Sequence, residues 1–158
     1  MTIDEATVIR RVIRIAARPE TVFTFFTDPK KMVRWKGRQA TLDPRIGGTY
    51  RVDINGRNIA LGAFVEIVPY RRVVFTWGWE GDGPPVPPGS STVEITLAPD
   101  GDGTILTLIH RDLPAPTREA HAHGWEHYLA RLADAAAGRD PGPDPLATPP
   151  VSAGGPGE

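Results

Sequence analysis

Ala17-Arg-Pro-Glu-Thr-Val-Phe-Thr-Phe-Phe26, followed at once by Thr27-Asp-Pro29, is the stretch on which the fold turns. Pro19 suits the first turn of a helix, and Glu20 favours that helix's positive end. Val22, Phe23 and Phe26 recur at helical spacing, which predicts a short amphipathic helix. Asp28-Pro29 opens a second short helix through Met32 to about Arg34. Just upstream, Thr7-Val-Ile-Arg-Arg-Val-Ile-Arg-Ile15 mixes β-branched residues with Arg and predicts a strand.

Downstream the pattern changes to β. Strands are expected at Gln39–Leu42, Tyr50–Ile54, Ile59–Val68, Val73–Trp79, Thr92–Leu97 and Thr104–His110, with turn residues such as Asn55-Gly56 and Gly101-Asp-Gly103 between them. Gly62 inside the longest strand marks a bend or a close backbone approach. One long helix runs from about Pro116 to Ala137, with Trp125, Leu129, Leu132 and Ala136 on one stripe and Tyr128 beside it. At about 22 residues it spans ~33 Å. The layout is α+β: a curved antiparallel sheet wrapped around a long C-terminal helix, with two short helices after the first strand. The domain is expected over residues 1–138. Residues 139–158 are expected to form a flexible Pro/Gly-rich tail with little to bury, partly laid on the surface through Leu146 and Val151.

Composition narrows the function classes. The 158 residues carry 18 Lys+Arg against 19 Asp+Glu, a net charge of -1, where a nucleic-acid binder shows a basic excess. The Arg10-Arg11 and Lys30-Lys31 pairs are too short to change that. The absence of cysteine excludes disulfides, thiol nucleophiles and thiolate metal sites. No apolar run suits membrane insertion and no signal peptide is evident, so a cytoplasmic protein is expected. The three serines, Ser90, Ser91 and Ser152, stand outside any Gly-x-Ser-x-Gly elbow.

Ordered segments of the chain resemble the SRPBCC (START and birch-allergen-like) superfamily, in the branch related to the activator of heat-shock-protein-90 ATPase. They are Ala17–Phe23, Thr27-Asp-Pro29, Val33-Arg-Trp35, Asp43-Pro-Arg-Ile-Gly-Gly-Thr-Tyr50, Gly62–Ile67, Arg72–Trp77, Ser91–Leu97, Gly103–His110 and His121-Ala-His-Gly-Trp125. The resemblance implies a helix-grip fold with a hydrophobic pocket between sheet and long helix. Members of the superfamily bind lipids, sterols and hormones, and some cyclise aromatic polyketides.

Period-two alternation places Val73, Phe75, Trp77 and Trp79 on one strand face, and Leu106, Leu108 and His110 on another. With Trp35, Tyr50, Phe64, His121 and Trp125, the residues Phe75, Trp77, Trp79, Leu108 and His110 form the candidate ligand-binding set, either as pocket wall or as core packing. His110 reads as a satisfied core histidine or as a general base. Glu94 is expected in solvent and Glu66 is equivocal. His123 and His127 share a helix face but lack the zinc-protease pattern, so no metal and no cofactor is expected. The ten-residue loop Glu80–Gly89 is a candidate gate over the pocket. The expected partner is a small hydrophobic molecule, with a homodimer open. The alternatives are a cyclase- or hydratase-type enzyme with His110 as base, and a chaperone-related interaction module.

Overall fold

The computed structural model describes residues 8–80 and 86–145. Strand β1 (Ile9–Ile15) leads into α1 (Pro19–Thr27) and α2 (Pro29–Met32). Six strands follow: β2 (Gln39–Leu42), β3 (Thr49–Asp53), β4 (Ile59–Val68), β5 (Arg72–Trp77), β6 (Ser91–Asp100) and β7 (Gly103–Arg111). The chain then enters α3 (Ala115–Ala136). The sheet order is β1-β7-β6-β5-β4-β3-β2, so β2 to β7 form a meander and β1 closes on β7, antiparallel.

The local signals act as expected. Pro19 stands in the first turn of α1, and Asp28 caps α2 by accepting from the Lys30 amide at 2.9 Å. The predicted stripe of α3 is the buried one: Trp125, Tyr128, Leu129, Leu132, Ala135 and Ala136 turn inward. The C-terminal ends of two strands lie two or more residues from the sequence reading. Strand β6 continues through Pro99 to Asp100, which pairs with Gly103, leaving only Gly101-Asp102 to turn the chain. Strand β5 ends at Trp77, because the Gly78 backbone lies against the Pro87 carbonyl and Trp79 bridges alone to Ala60.

Gly62 permits the sheet to bend. A Cβ there would overlap the Thr76 carbonyl on the neighbouring strand, and the Ala63 amide donates to Thr76 Oγ1 at 2.9 Å instead of to a backbone oxygen. Two residues on, the β4–β5 register shifts between Phe64 and Glu66, a bulge that adds to the curvature.

The outer face corrects one expectation. The Glu94 carboxylate is held between Arg72 (2.9 Å) and Arg111 and is only 14 % exposed, and Arg72 also reaches Glu66 at 2.9 Å. Successive strands thus line up carboxylate and guanidinium across the ladder. Beyond α3, the first tail residues lie on the helix. Arg131 donates to the carbonyls of Gly142 (3.0 Å) and Pro143 (3.4 Å), and His127 meets Asp144 at 2.8 Å. Leu146 and Val151 fall outside the described residues, as do positions 81–85 of the candidate gate. No helix among the described residues is long and apolar enough to cross a membrane.

Gly62→Ala should destabilise the fold by about 2 kcal/mol or more, since backbone rather than a flexible side chain must yield. Urea denaturation with an unchanged m-value would establish that; a midpoint within error of wild type would show that the bend does not depend on this glycine.

Candidate functional site

The candidate residues fall into two groups along the sheet–helix interior. Tyr50, Phe64 and Phe75 make one, with Tyr50 stacked on Phe75 at 4.0 Å between ring centres and Phe64 edge-on to both. Trp77, Trp79, His110, His121 and Trp125 make the other. Trp35 packs edge-on against Phe26 and donates its indole N–H to the Phe25 carbonyl at 3.0 Å; Leu108 is enclosed in the core. Eight of the ten, all but Trp79 and His121, are at most 4 % exposed. Those two are half-buried and mark the outward end of the interior.

His110 sits in a relay. The Trp125 indole N–H donates to His110 Nδ1 at 2.9 Å, and His110 Nε2 lies 2.8 Å from Ser91 Oγ. The Ser91 hydroxyl donates to the Trp77 carbonyl at 2.7 Å. Its one hydrogen is therefore committed, so His110 Nε2 must carry the proton and donate to it. The imidazole is neutral, with both nitrogens engaged. Burial, reinforced by His121 and by the Lys36 charge, lowers its pKa to about 3. Such a histidine has no lone pair left for base catalysis. Ser91, which sequence offers no reason to single out, is the link that fixes the tautomer.

His121 is engaged in the same way, with Nδ1 on the Thr117 carbonyl at 2.7 Å and Nε2 accepting from the Trp79 indole at 3.2 Å. Burial is also the main cause lowering its pKa. No cluster of metal-ligating side chains occurs among the described residues: His123 is exposed, and His127 faces Asp144.

The residue that sequence reasoning missed is Lys36. It is 3 % exposed, and its ammonium lies 4.2 Å from the Trp125 ring centre, 5.7 Å from Tyr128, 5.9 Å from Trp77 and 6.0 Å from Trp35. Among the described residues no hydrogen bond or ion pair reaches it. Burial alone pulls its pKa from 10.5 to about 7. The local cause is a helical turn that outlasts α2: the Lys36 amide bonds the Met32 carbonyl at 2.9 Å, placing Lys36 on the inward stripe of Met32 and Trp35. Gly37, at φ 83° and packed on Val52, then turns the chain into β2 and holds Lys36 inward. The signal was the i, i+3, i+4 spacing of Met32, Trp35 and Lys36, which a charge at the third position disguises.

Trp77 supplies a second unengaged donor. Three of the four indole N–H groups have internal acceptors, on Phe25, His110 and His121. Trp77 Nε1 is buried and has none among the described residues. The outward end therefore holds a cation and an N–H donor in an aromatic surround, next to the half-buried Trp79–His121 pair. Val86 is fully buried there, and its carbonyl accepts from the Trp79 amide at 2.7 Å.

This curved sheet gripping a long helix is the helix-grip fold of the START and birch-allergen-like superfamily. The profile of the family described as "Activator of Hsp90 ATPase homolog 1-like protein" matches residues 16–137, and the chain belongs to that family. Among solved structures, the chain is 46 % identical to an AHSA1-like protein from Rhizobium etli, over 92 % of this chain and 91 % of that one, with a TM-score of 0.69. It is 30 % identical to CalU16 from Micromonospora echinospora (92 % and 73 % of the chains, TM-score 0.71). A protein from Chromobacterium violaceum is 27 % identical (87 % and 99 %, TM-score 0.72). No curated protein matches the chain significantly.

Two stability measurements follow from the two buried bases. Between pH 3 and 6.5 the unfolded chain binds a proton that folded His110 refuses, so stability falls as pH falls, by about 1.4 kcal/mol per unit. From pH 6 to 4.5, wild type should lose about 2 kcal/mol more than His110→Gln in urea titrations. Equal losses would place the acid sensitivity elsewhere. Lys36 behaves alike at higher pH: the unfolded chain holds the proton up to about 10.5 and the folded one only to about 7. Stability should therefore rise with pH across that window in wild type and not in Lys36→Met. At pH 6 the variant should be the more stable by on the order of 2 kcal/mol, a gap that closes toward pH 10.

Proposed function

We propose that the chain binds a small, mostly apolar or aromatic molecule that presents an oxygen acceptor to Lys36 and Trp77 from the Trp79–His121 end. The observation that carries this reading is that the buried Lys36 lies beside the buried Trp77 indole N–H, neither with a hydrogen-bond acceptor among the described residues. Buried polar groups are almost always satisfied, and one left open costs about 1–3 kcal/mol. A carbonyl, phenolate or carboxylate oxygen fulfils both, while the rings of Trp77, Trp79 and Trp125 supply apolar contact for the rest of the ligand.

In this reading, Tyr50, Phe64, Phe75 and Leu108 belong to the packed support, and His110 and Ser91 fix the orientation of Trp125 and Trp77 rather than meet the ligand. Neither histidine serves as a base in this reading, and the function is ligand binding in a cytosolic setting.

Native mass spectrometry of the purified protein, followed by denaturation and small-molecule analysis, tests this. A stoichiometric co-purifying oxygenated aromatic or apolar compound is expected. Trp77→Phe, which removes the N–H and keeps a ring, should weaken its binding by about five- to tenfold, the loss of one hydrogen bond. Binding unchanged in both Trp77→Phe and Lys36→Met would remove the site from this end of the fold.

A further inference from the structure

Lys36 differs from every other cation in the chain. The protein contains 15 arginines and only three lysines, Lys30, Lys31 and Lys36. Lys30 is exposed, and Lys31 donates to Thr24 Oγ1 at 2.9 Å. Lys36 alone is buried, with its nitrogen against four aromatic rings and no carboxylate in contact among the described residues. If charge were all that the position required, a guanidinium would keep it permanently and stack better on the same rings. What an ammonium offers instead is an amine once its proton leaves. An amine in a dry aromatic surround is a nucleophile.

We propose that Lys36 condenses reversibly with an aldehyde or ketone ligand, with the carbonyl oxygen received at the Trp77 indole N–H. This deepens the binding function proposed above and rests on it. The Lys36 nitrogen lone pair adds to the carbonyl carbon and the oxygen takes up a proton, giving a carbinolamine. The nitrogen–carbon double bond then forms as the carbon–oxygen bond breaks. Both hydrogens of the neutral amine leave with that oxygen as one water, so no oxidant, reductant or further reactant is needed. Trp77 Nε1 polarises the carbonyl during addition and has no other acceptor among the described residues. Burial keeps a large share of Lys36 as free amine near neutral pH, where exposed lysines are almost wholly protonated. The charged groups of the surrounding elements agree with this: His110 on β7 and His121 on α3 both face the lysine as neutral imidazoles, and neither stabilises an ammonium.

The test uses the full chain with 2-naphthaldehyde and cyanoborohydride at pH 7, read by intact mass and peptide mapping. The expected result is labelling of Lys36 at least about tenfold faster than Lys30 or Lys31, with a rate that rises through about pH 7. The label should be lost in Lys36→Met and slowed in Trp77→Phe. Excess 2-naphthylmethanol, which has no carbonyl, should protect wild-type Lys36, a control that needs no variant to fold. Its own binding, followed by calorimetry, reads the pocket separately. If 2-naphthylmethanol binds while Lys36 is labelled no faster than Lys30 and Lys31, the imine is overturned and the binding site stands. If neither compound engages the protein at Lys36, both fall.

Discussion

The interior is organised by one chain of donors and acceptors that crosses four elements. Trp125 on α3 donates to His110 on β7, His110 to Ser91 on β6, and Ser91 to the carbonyl of Trp77 on β5. Hydrophobic burial alone would hold the long helix against the sheet, but it is non-directional and would leave the helix free to slide or rotate. Each hydrogen bond here has one geometry and one tautomer in which every hydrogen is used, so the relay fixes the height and rotation of α3 over the strands. It also explains why His110 is buried without a carboxylate partner among the described residues: the imidazole is a two-ended connector between an indole donor and a hydroxyl.

Against that background Lys36 is an exception. A cation amid four aromatic rings gains from the negative faces of those rings, by about 0.5–2 kcal/mol for a favourable contact. Loss of hydration exceeds that gain, as the drop of its pKa to about 7 records. A chain that uses Arg for 15 of its 18 Lys and Arg positions, and pairs many of them with carboxylates on the surface, keeps one of its three lysines where charge is unfavourable. Local violations of this kind are where function concentrates in an otherwise consistent fold. The neighbouring Trp77 N–H, without an acceptor among the described residues, is a second such violation.

The ten candidate residues divide along a physical line. Tyr50, Phe64 and Phe75 satisfy one another by ring stacking and Leu108 is enclosed in the core, which period-two alternation cannot distinguish from a pocket wall, because both face inward. Trp79 and His121 pair across the outward end, where the strand has already been broken at Gly78. What separates support from site is the acceptor each indole finds, and that acceptor lies on another element in each case: Phe25 for Trp35, His121 for Trp79, and His110 for Trp125.

Local chemistry written in the sequence was enough for the element order, the two short helices after β1, the apolar stripe of α3 and the close approach at Gly62. Proline and Asp at helix starts, period-two strands and 3.6-period helices act within a few residues, so they are legible without the rest of the chain. Ordered motifs likewise sufficed for the family. Tertiary structure alone decided that Ser91 would fix a tautomer, that Glu94 would lie between two guanidinium groups, and that Lys36 would turn inward behind Trp35. Those outcomes depend on which groups from distant segments arrive within about 3–6 Å of one another. Hydrogen bonding and desolvation are set by that encounter, and residue type by itself carries no record of it.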